Sequence, residues 1–348
     1  MNYKRTVALY YSKAVGVMEF RHCLIIGLAM LVLPGCRRQG RAQGDYPSRT
    51  ITVYINSSQG GATDRWARFL AREMQTELGV NLVCVNLPGA MGGTGAMKVY
   101  GAPHDGYTLL ACSENSVFFG VNDVAPTVDR WRFLIAGGSA AAIGCKADAP
   151  WQDLKDLSAA GRQATIRVAN GGAGKLWHVR AAEAERAIGG RWNHVPYGGS
   201  GPAITALLSG EVQAVSCSVA ELQPFVDSGK LRFLTRSDTD EPTGQTLRQW
   251  LGFAIPRDVQ PHAYQRLVDA FKRVVNSERV ARWAEQNDSD LIGLWGSDAD
   301  RFAQSMQQAA SWASQELGLA KIPPQQLGIP PLGSQSDSSA ETTQEVAH

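Results

Sequence analysis

With 348 residues, 44% of them hydrophobic, the chain can bury the cores of two ordinary domains. Its formal charge of +2 is spread along the sequence without a basic cluster, which excludes the electrostatic footprint of a nucleic-acid binder. None of the six cysteines forms a C-x-x-C pair and no histidine stands at zinc spacing, so neither a metal nor any other cofactor is expected.

Arg21 and His22 precede the apolar run Leu24 to Leu33, which is too short to span a bilayer and reads as a signal peptide. Translation from Met18 would give a leader of more usual length than translation from Met1, and both starts stay open. The run ends in Leu33-Pro34-Gly35-Cys36, close to a lipobox, although Pro34 is atypical there. Lipidation at Cys36 and plain cleavage after Ala42 are therefore the two outcomes, with the lipid anchor preferred. Residues 1–45 are read as leader, lipobox and spacer, and the mature chain as periplasmic, held to a membrane through Cys36. An oxidising compartment permits a bridge among Cys84, Cys112, Cys145 and Cys217, but their spacing specifies none, and they read as buried small residues.

Past the spacer, Ile51, Val53 and Ile55 alternate with Thr52 and Tyr54 as in a strand. The turn Ser57 to Gly61 follows, and Thr63 or Asp64 is expected to cap a helix carrying Trp66, Phe69, Leu70 and Met74 at helical spacing until Leu78-Gly79. Asn81 to Val85 predicts a second strand, Pro88 to Gly95 a glycine-rich entry to a helix, and Tyr107 to Cys112 a third strand. Ile166 to Ala169 then feeds the loop Asn170 to Gly174 and a helix through His178. His194 to Tyr197 feeds Gly198 to Gly201, a helix from Pro202 and a strand from Val212 to Ser216. Helices are predicted over Ala263 to Val275, Glu278 to Gln286 and Ala299 to Leu317, ahead of a polar, disordered tail. The alternation marks an α/β protein with mainly parallel strands.

Four glycine-rich loops each follow a strand and open a helix. Helix starts leave backbone N–H groups unpaired with a partial positive charge, so such loops suit anions, although any one of them alone is also a tight connection. Nucleotide motifs do not close: Asn170 to Lys175 resembles a P-loop, but Ala169 stands in place of its first glycine and Leu176 in place of the magnesium-binding hydroxyl residue. Gly198-Gly199-Ser200-Gly201 runs into Pro202, which excludes a nucleophile elbow and leaves Ser200 as a ligand or capping hydroxyl. His178 and His194 lie in separate units with no acid at motif spacing, and no enzyme is expected.

At these loops the chain resembles the Bug family, the extracytoplasmic receptors of tripartite tricarboxylate transporters. The resemblance runs from about Tyr46 to Gly318 and rests on an ordered series of segments. These are Tyr46-Pro47-Ser48-Arg49, Gly60-Gly61-Ala62-Thr63-Asp64, Asn86 to Ala96, Pro103 to Leu110, His194 to Ala203 and Ser228 to Arg232, then Trp250, Gly252 and Pro256. It implies an α/β, type II periplasmic-binding-protein-like fold with a ligand cleft between two α/β domains, here 46–146 with 250–328 and 147–249, followed by a tail over 329–348. It also implies a monomer that takes a small carboxylate to membrane permease subunits, with Gly60, Gly61, Ala62, Thr63 and Asp64 facing Gly172, Ala173, Gly174 and Lys175 across the ligand. Ser57, Ser58, His178 and Ser200 complete the expected lining. Departures from the family pattern at Asn56 to Gln59 suggest a more polar ligand, and the family's small hydroxyl residues give way to Lys175, Leu176 and Trp177. The alternative function is a ligand-sensing lipoprotein that engages a membrane signalling partner without transport.

Overall fold

The computed structural model describes residues 46–239 and 247–331. The leader, Cys36, the Asp240 to Thr243 remnant and the tail beyond residue 331 lie outside the described residues.

The first sheet opens with β1 (Ile51–Ile55), whose Ile51, Val53 and Ile55 are fully buried. Its alternation is that of a strand with one face on a core. Helix α1 (Ala62–Leu78) presents Trp66, Leu70 and Met74 to the same core and ends at Gly79, whose left-handed conformation lets its N–H reach the Gln75 carbonyl. Gly61, not Thr63 or Asp64, occupies the cap position, without a side-chain cap. Strands β2 (Leu82–Asn86) and β3 (Thr108–Ser113) flank β1 in parallel, joined through helix α2 (Gly93–Tyr100).

β4 (Trp131–Ser139) ends this first pass, and β5 (Ala141–Lys146) follows after the single residue Ala140. β5 pairs in a second sheet, so the boundary expected after residue 146 falls late and the chain crosses at Ala140. That sheet contains β6 (Ile166–Asn170), β7 (Trp192–Pro196), β8 (Ala214–Ser218) and β9 (Leu231–Arg236) in the order β7-β6-β8-β5-β9. Helices α3 (Leu154–Gln163), α4 (Leu176–Ile188), α5 (Ser200–Ser209) and α6 (Val219–Asp227) connect its strands.

The chain returns to the first sheet as β10 (Gln249–Pro256), all eight residues of which are buried. It then forms α7 (Pro261–Val275), α8 (Glu278–Glu285), the edge strand β11 (Asp290–Trp295) and the long helix α9 (Gly296–Glu316). The first sheet is thus β11-β4-β10-β3-β1-β2, with β10 antiparallel to both neighbours. At the crossovers the strands approach so closely that a Cβ on Gly138 would lie 2.0 Å from the Gln249 carbonyl oxygen. Ala140 O accepts from the Val219 amide at 2.9 Å, and Ala141 O from the Ser237 amide at 2.8 Å, which ties the two crossings to the second sheet.

One core lies between the first sheet and α1, α7 and α8, and another runs from the sheet's opposite face through the crossovers into the second sheet and α9. Cys112, Cys145 and Cys217 are buried, Cys84 is half-buried, and all four are free thiols. Burial pushes the Cys112 thiol up to about 12 and that of Cys145 to about 11. Ile329 is buried, and Pro330 O accepts from Trp312 Nε1 at 2.7 Å, so ordered chain continues past the expected start of the tail.

Candidate functional site

The loops that open α1 and α2 stand at the carboxyl ends of β1 and β2 in the first sheet, and those that open α4 and α5 at the carboxyl ends of β6 and β7 in the second. In α/β sheets this is the end at which ligands bind.

In the first loop Gly60 takes φ +84°, a conformation that favours glycine, whereas Gly61 has an ordinary φ of −72°. Asp64 is buried and fully engaged: Oδ2 accepts from the Gly60 amide at 2.9 Å, and Oδ1 accepts from Arg68 Nε at 2.9 Å and Asn86 Nδ2 at 2.8 Å. Burial alone would raise its carboxyl, but the Gly60, Asn86 and Arg68 donors outweigh it and hold the group below the usual range. Asp64 therefore shapes the loop, and the Gly60 amide is occupied. The amides of Gly61, Ala62 and Thr63 make no hydrogen bond within the described residues. Ser57 Oγ is buried without a partner among the described residues, while Ser58 is exposed.

The second loop carries consecutive positive φ values at Gly89, Ala90, Met91 and Gly92, including two residues that are not glycine. Such a bend turns the chain sharply ahead of α2 at a conformational cost.

The third loop spends most of its amides on itself. Gly172 donates to Asn170 Oδ1 at 3.0 Å, Gly174 to His178 Nδ1 at 3.0 Å and Lys175 to the Gly172 carbonyl at 3.2 Å. Of the expected set only the Ala173 amide is unbonded within the described residues. His178 supports the loop, and burial followed by the neighbouring His194 lowers its affinity for a proton. His194 in turn lies 2.8 Å from Glu185 Oε2. Lys175 folds back over the loop, since a Cβ on Gly172 would meet its Cδ at 3.0 Å and its Nζ at 3.5 Å. Burial lowers the Lys175 ammonium's pKa, and Glu114 opposes that shift.

The fourth loop, Gly198 to Gly201, leaves its amides unbonded within the described residues and has open space at each of its three glycines. It lies beside the third, with Ser200 N 3.4 Å from the position of a Gly171 Cβ. Helix-start amides free on both sheets are donors for an anion.

The two sheets' loops also meet. Asn115 Oδ1, after β3, accepts from the Leu176 amide at 3.3 Å, and the position of a Gly174 Cβ is 3.2 Å from Asn122 Oδ1 and 3.8 Å from Met91 Cε. Sequence reasoning missed Asn115, Asn122 and Glu114, which carry no motif and become neighbours of the third loop only through the fold. A cavity of about 490 Å³ lies elsewhere, between the second sheet and helices α4 and α9, lined among others by Ala142, Ser216, Ala184 and Ala313. None of the residues singled out by the sequence lines it. Among the described residues no cluster of His, Cys, Asp or Glu could hold a metal ion, and no helix is long and apolar enough to cross a membrane.

Residues 66–319 match the family described as tripartite tricarboxylate transporter family receptor. A protein of Cupriavidus necator, the UPF0065 protein in gbd 5'region, is 26% identical over 326 residues, covering 87% of this chain and 99% of that one. Among solved structures, a TctC solute-binding protein from Polaromonas is 26% identical, with a TM-score of 0.63 over 78% of this chain and 99% of its own. Rpa4515 of Rhodopseudomonas palustris, with adipate, has a TM-score of 0.72 at 19% identity, over 79% of this chain and 99% of its own. MatC of the same organism, with bound malate, has a TM-score of 0.64 at 22% identity, over 78% and 98%. The fold is that of the periplasmic binding proteins, with two α/β lobes.

Proposed function

We propose that this chain, which belongs to the tripartite tricarboxylate transporter receptor family, is a periplasmic receptor that captures a small carboxylate between its lobes for membrane permease subunits. The observation that carries this reading is the set of unbonded helix-start amides at Gly61 to Thr63 on one lobe and Gly198 to Gly201 on the other. They are preorganised donors that need no reorientation to receive a carboxylate. Asp64, Asn170 and His178 hold the loops in shape; Lys175 adds a charge from the second lobe. Ser57 Oγ and Ser200 are side-chain contacts in this scheme. The adipate and malate held by two structural relatives make a dicarboxylate of similar size the first candidate.

The receptor works as a monomer whose lobes close over the ligand about the crossings at Ala140 and ahead of Gln249. Anchoring through Cys36 would keep it close to its permease. A thermal-shift screen of di-, tri-, hydroxy- and amino-carboxylates tests the reading, since a ligand bound only by the native state raises its stability. At least one acid should stabilise the chain; stabilisation by nucleotides or metal ions alone would contradict it.

A further inference from the structure

One acidic side chain at the meeting of the lobes has no part in holding a carboxylate. Glu114 follows β3 directly and is 1% exposed. It lies beside the crossovers, because Ser113 pairs with Leu251 and Ser139 with Gln249 at the start of β10. Its Oε1 accepts from Asn115 Nδ2 at 2.7 Å. Its Oε2 is buried and has no hydrogen-bond partner among the described residues.

The protein's own charges do not resolve this. Lys175 attracts Glu114 from the other lobe, but no ion pair joins them among the described residues. Glu221, at the start of α6, repels it and is itself bonded to Ser218 Oγ at 2.8 Å. Burial raises the Glu114 carboxyl to about 8, against the pull of its own amide, the Trp250 amide and Lys175. Burying a carboxylate is costly unless a partner of opposite charge or a donor reaches it.

The free amides of the first loop and Lys175 already offer positive groups to a ligand's carboxylate. A cationic group of the ligand placed opposite Glu114 would hold its carboxyl ionised and give the buried Oε2 a partner. We infer that Glu114 Oε2 accepts the ammonium group of an amino-acid ligand whose carboxylate is held by the loop amides, so that Glu114 selects aminated over plain carboxylic acids. This rests on the receptor reading above and narrows its ligand class. Asn170 Nδ2, fully buried at the end of β6 and also without a partner among the described residues, is a further donor for the same ligand's carboxylate.

The test is calorimetric titration of the full chain with acids that differ only in the amino group: aspartate and succinate, glutamate and glutarate, phenylalanine and 3-phenylpropionate. The aminated member of at least one pair should bind about tenfold or more tighter, as expected for a buried charge-assisted contact. Glu114→Gln, of nearly the same shape, should bring that pair to within about threefold by weakening the aminated member. Equal affinity within every pair, tighter binding of the plain acids, or a ratio unchanged in Glu114→Gln would overturn the inference while leaving the receptor reading in place. If Glu114→Gln fails to fold, the wild-type ratios decide: a preference of about tenfold or more for an aminated member upholds the inference, and equal or reversed affinity in every pair overturns it. Binding of no acid in any pair overturns the inference, while the receptor reading is decided separately by the wider carboxylate screen.

Discussion

The Gly60 amide donates a 2.9 Å hydrogen bond to Asp64 Oδ2 across the turn that opens α1. With Arg68 and Asn86 on the other carboxylate oxygen, Asp64 links the loop, the helix and the end of β2. Asp64→Asn keeps the volume but loses the charge and one acceptor oxygen, and should cost about 1–3 kcal/mol of stability, read by urea denaturation. The Asp64 pKa is depressed in the fold, so its contribution is present above the unfolded value of 3.8 and is lost as pH falls through the lower folded value. The stability gap between wild type and variant should therefore narrow in that acid range and hold steady above it. A gap that widened on acidification would contradict this role.

Glu114 has the opposite sign. Its folded pKa of about 8 lies above the ordinary 4.5, so its contribution is fully present below 4.5 and is lost as pH rises through 8. Lowered proton affinity at His178 works the other way around its ordinary 6.5, so the wild-type profile alone is a mixture. Comparison isolates Glu114: without ligand, the stability advantage of wild type over Glu114→Gln should shrink between about pH 5 and about pH 8. A constant difference would mean that Glu114 does not titrate in this window.

Lys175 contributes one charge from the second lobe. Lys175→Ala should weaken binding of the best carboxylate by about ten- to a hundredfold, the worth of a charge-assisted contact of about 1.5–3 kcal/mol. Circular dichroism should be unchanged, because the side chain covers the loop without bonding to it. Unaltered affinity would return Lys175 to a covering role over Gly172.

Lipidation at Cys36 is tested in the producing cell. Radiolabelled palmitate should enter the protein and disappear in Cys36→Ala, as expected when the thiol carries the lipid. Label retained by the variant would remove the lipobox assignment.

The elements with a clear period were legible in the sequence. β1 alternates because one face is buried, and α1 shows its apolar stripe and its Gly79 stop. β10 gives no alternation because all eight of its residues are buried. β4 and β5 form a nearly continuous run interrupted only by Ala140, and the turn-like Gly137-Gly138-Ser139 just before it stays in β4, so the sequence does not announce that the chain changes sheets there. Glycine composition located the four loops, but it could not tell which amides stay free. That depends on local acceptors such as Asp64, Asn170 and His178, which claim the Gly60, Gly172 and Gly174 amides. Glu114 was invisible because its burial arises only when β10 and the second lobe close around the end of β3.

Gly61→Asp tests the central claim most directly. Gly61 has φ −72°, and an added Cβ would meet only the Ser58 carbonyl oxygen, at 3.7 Å, so the backbone tolerates a side chain there. The new carboxylate would occupy the anion position at the start of α1. Calorimetric titration of wild type and variant with the acid that most stabilises the wild type is the measurement. The account predicts one-to-one binding by wild type and a loss of about a hundredfold or more in a variant that keeps its circular dichroism. A folded Gly61→Asp protein with wild-type affinity would place the ligand away from these loops and contradict the account.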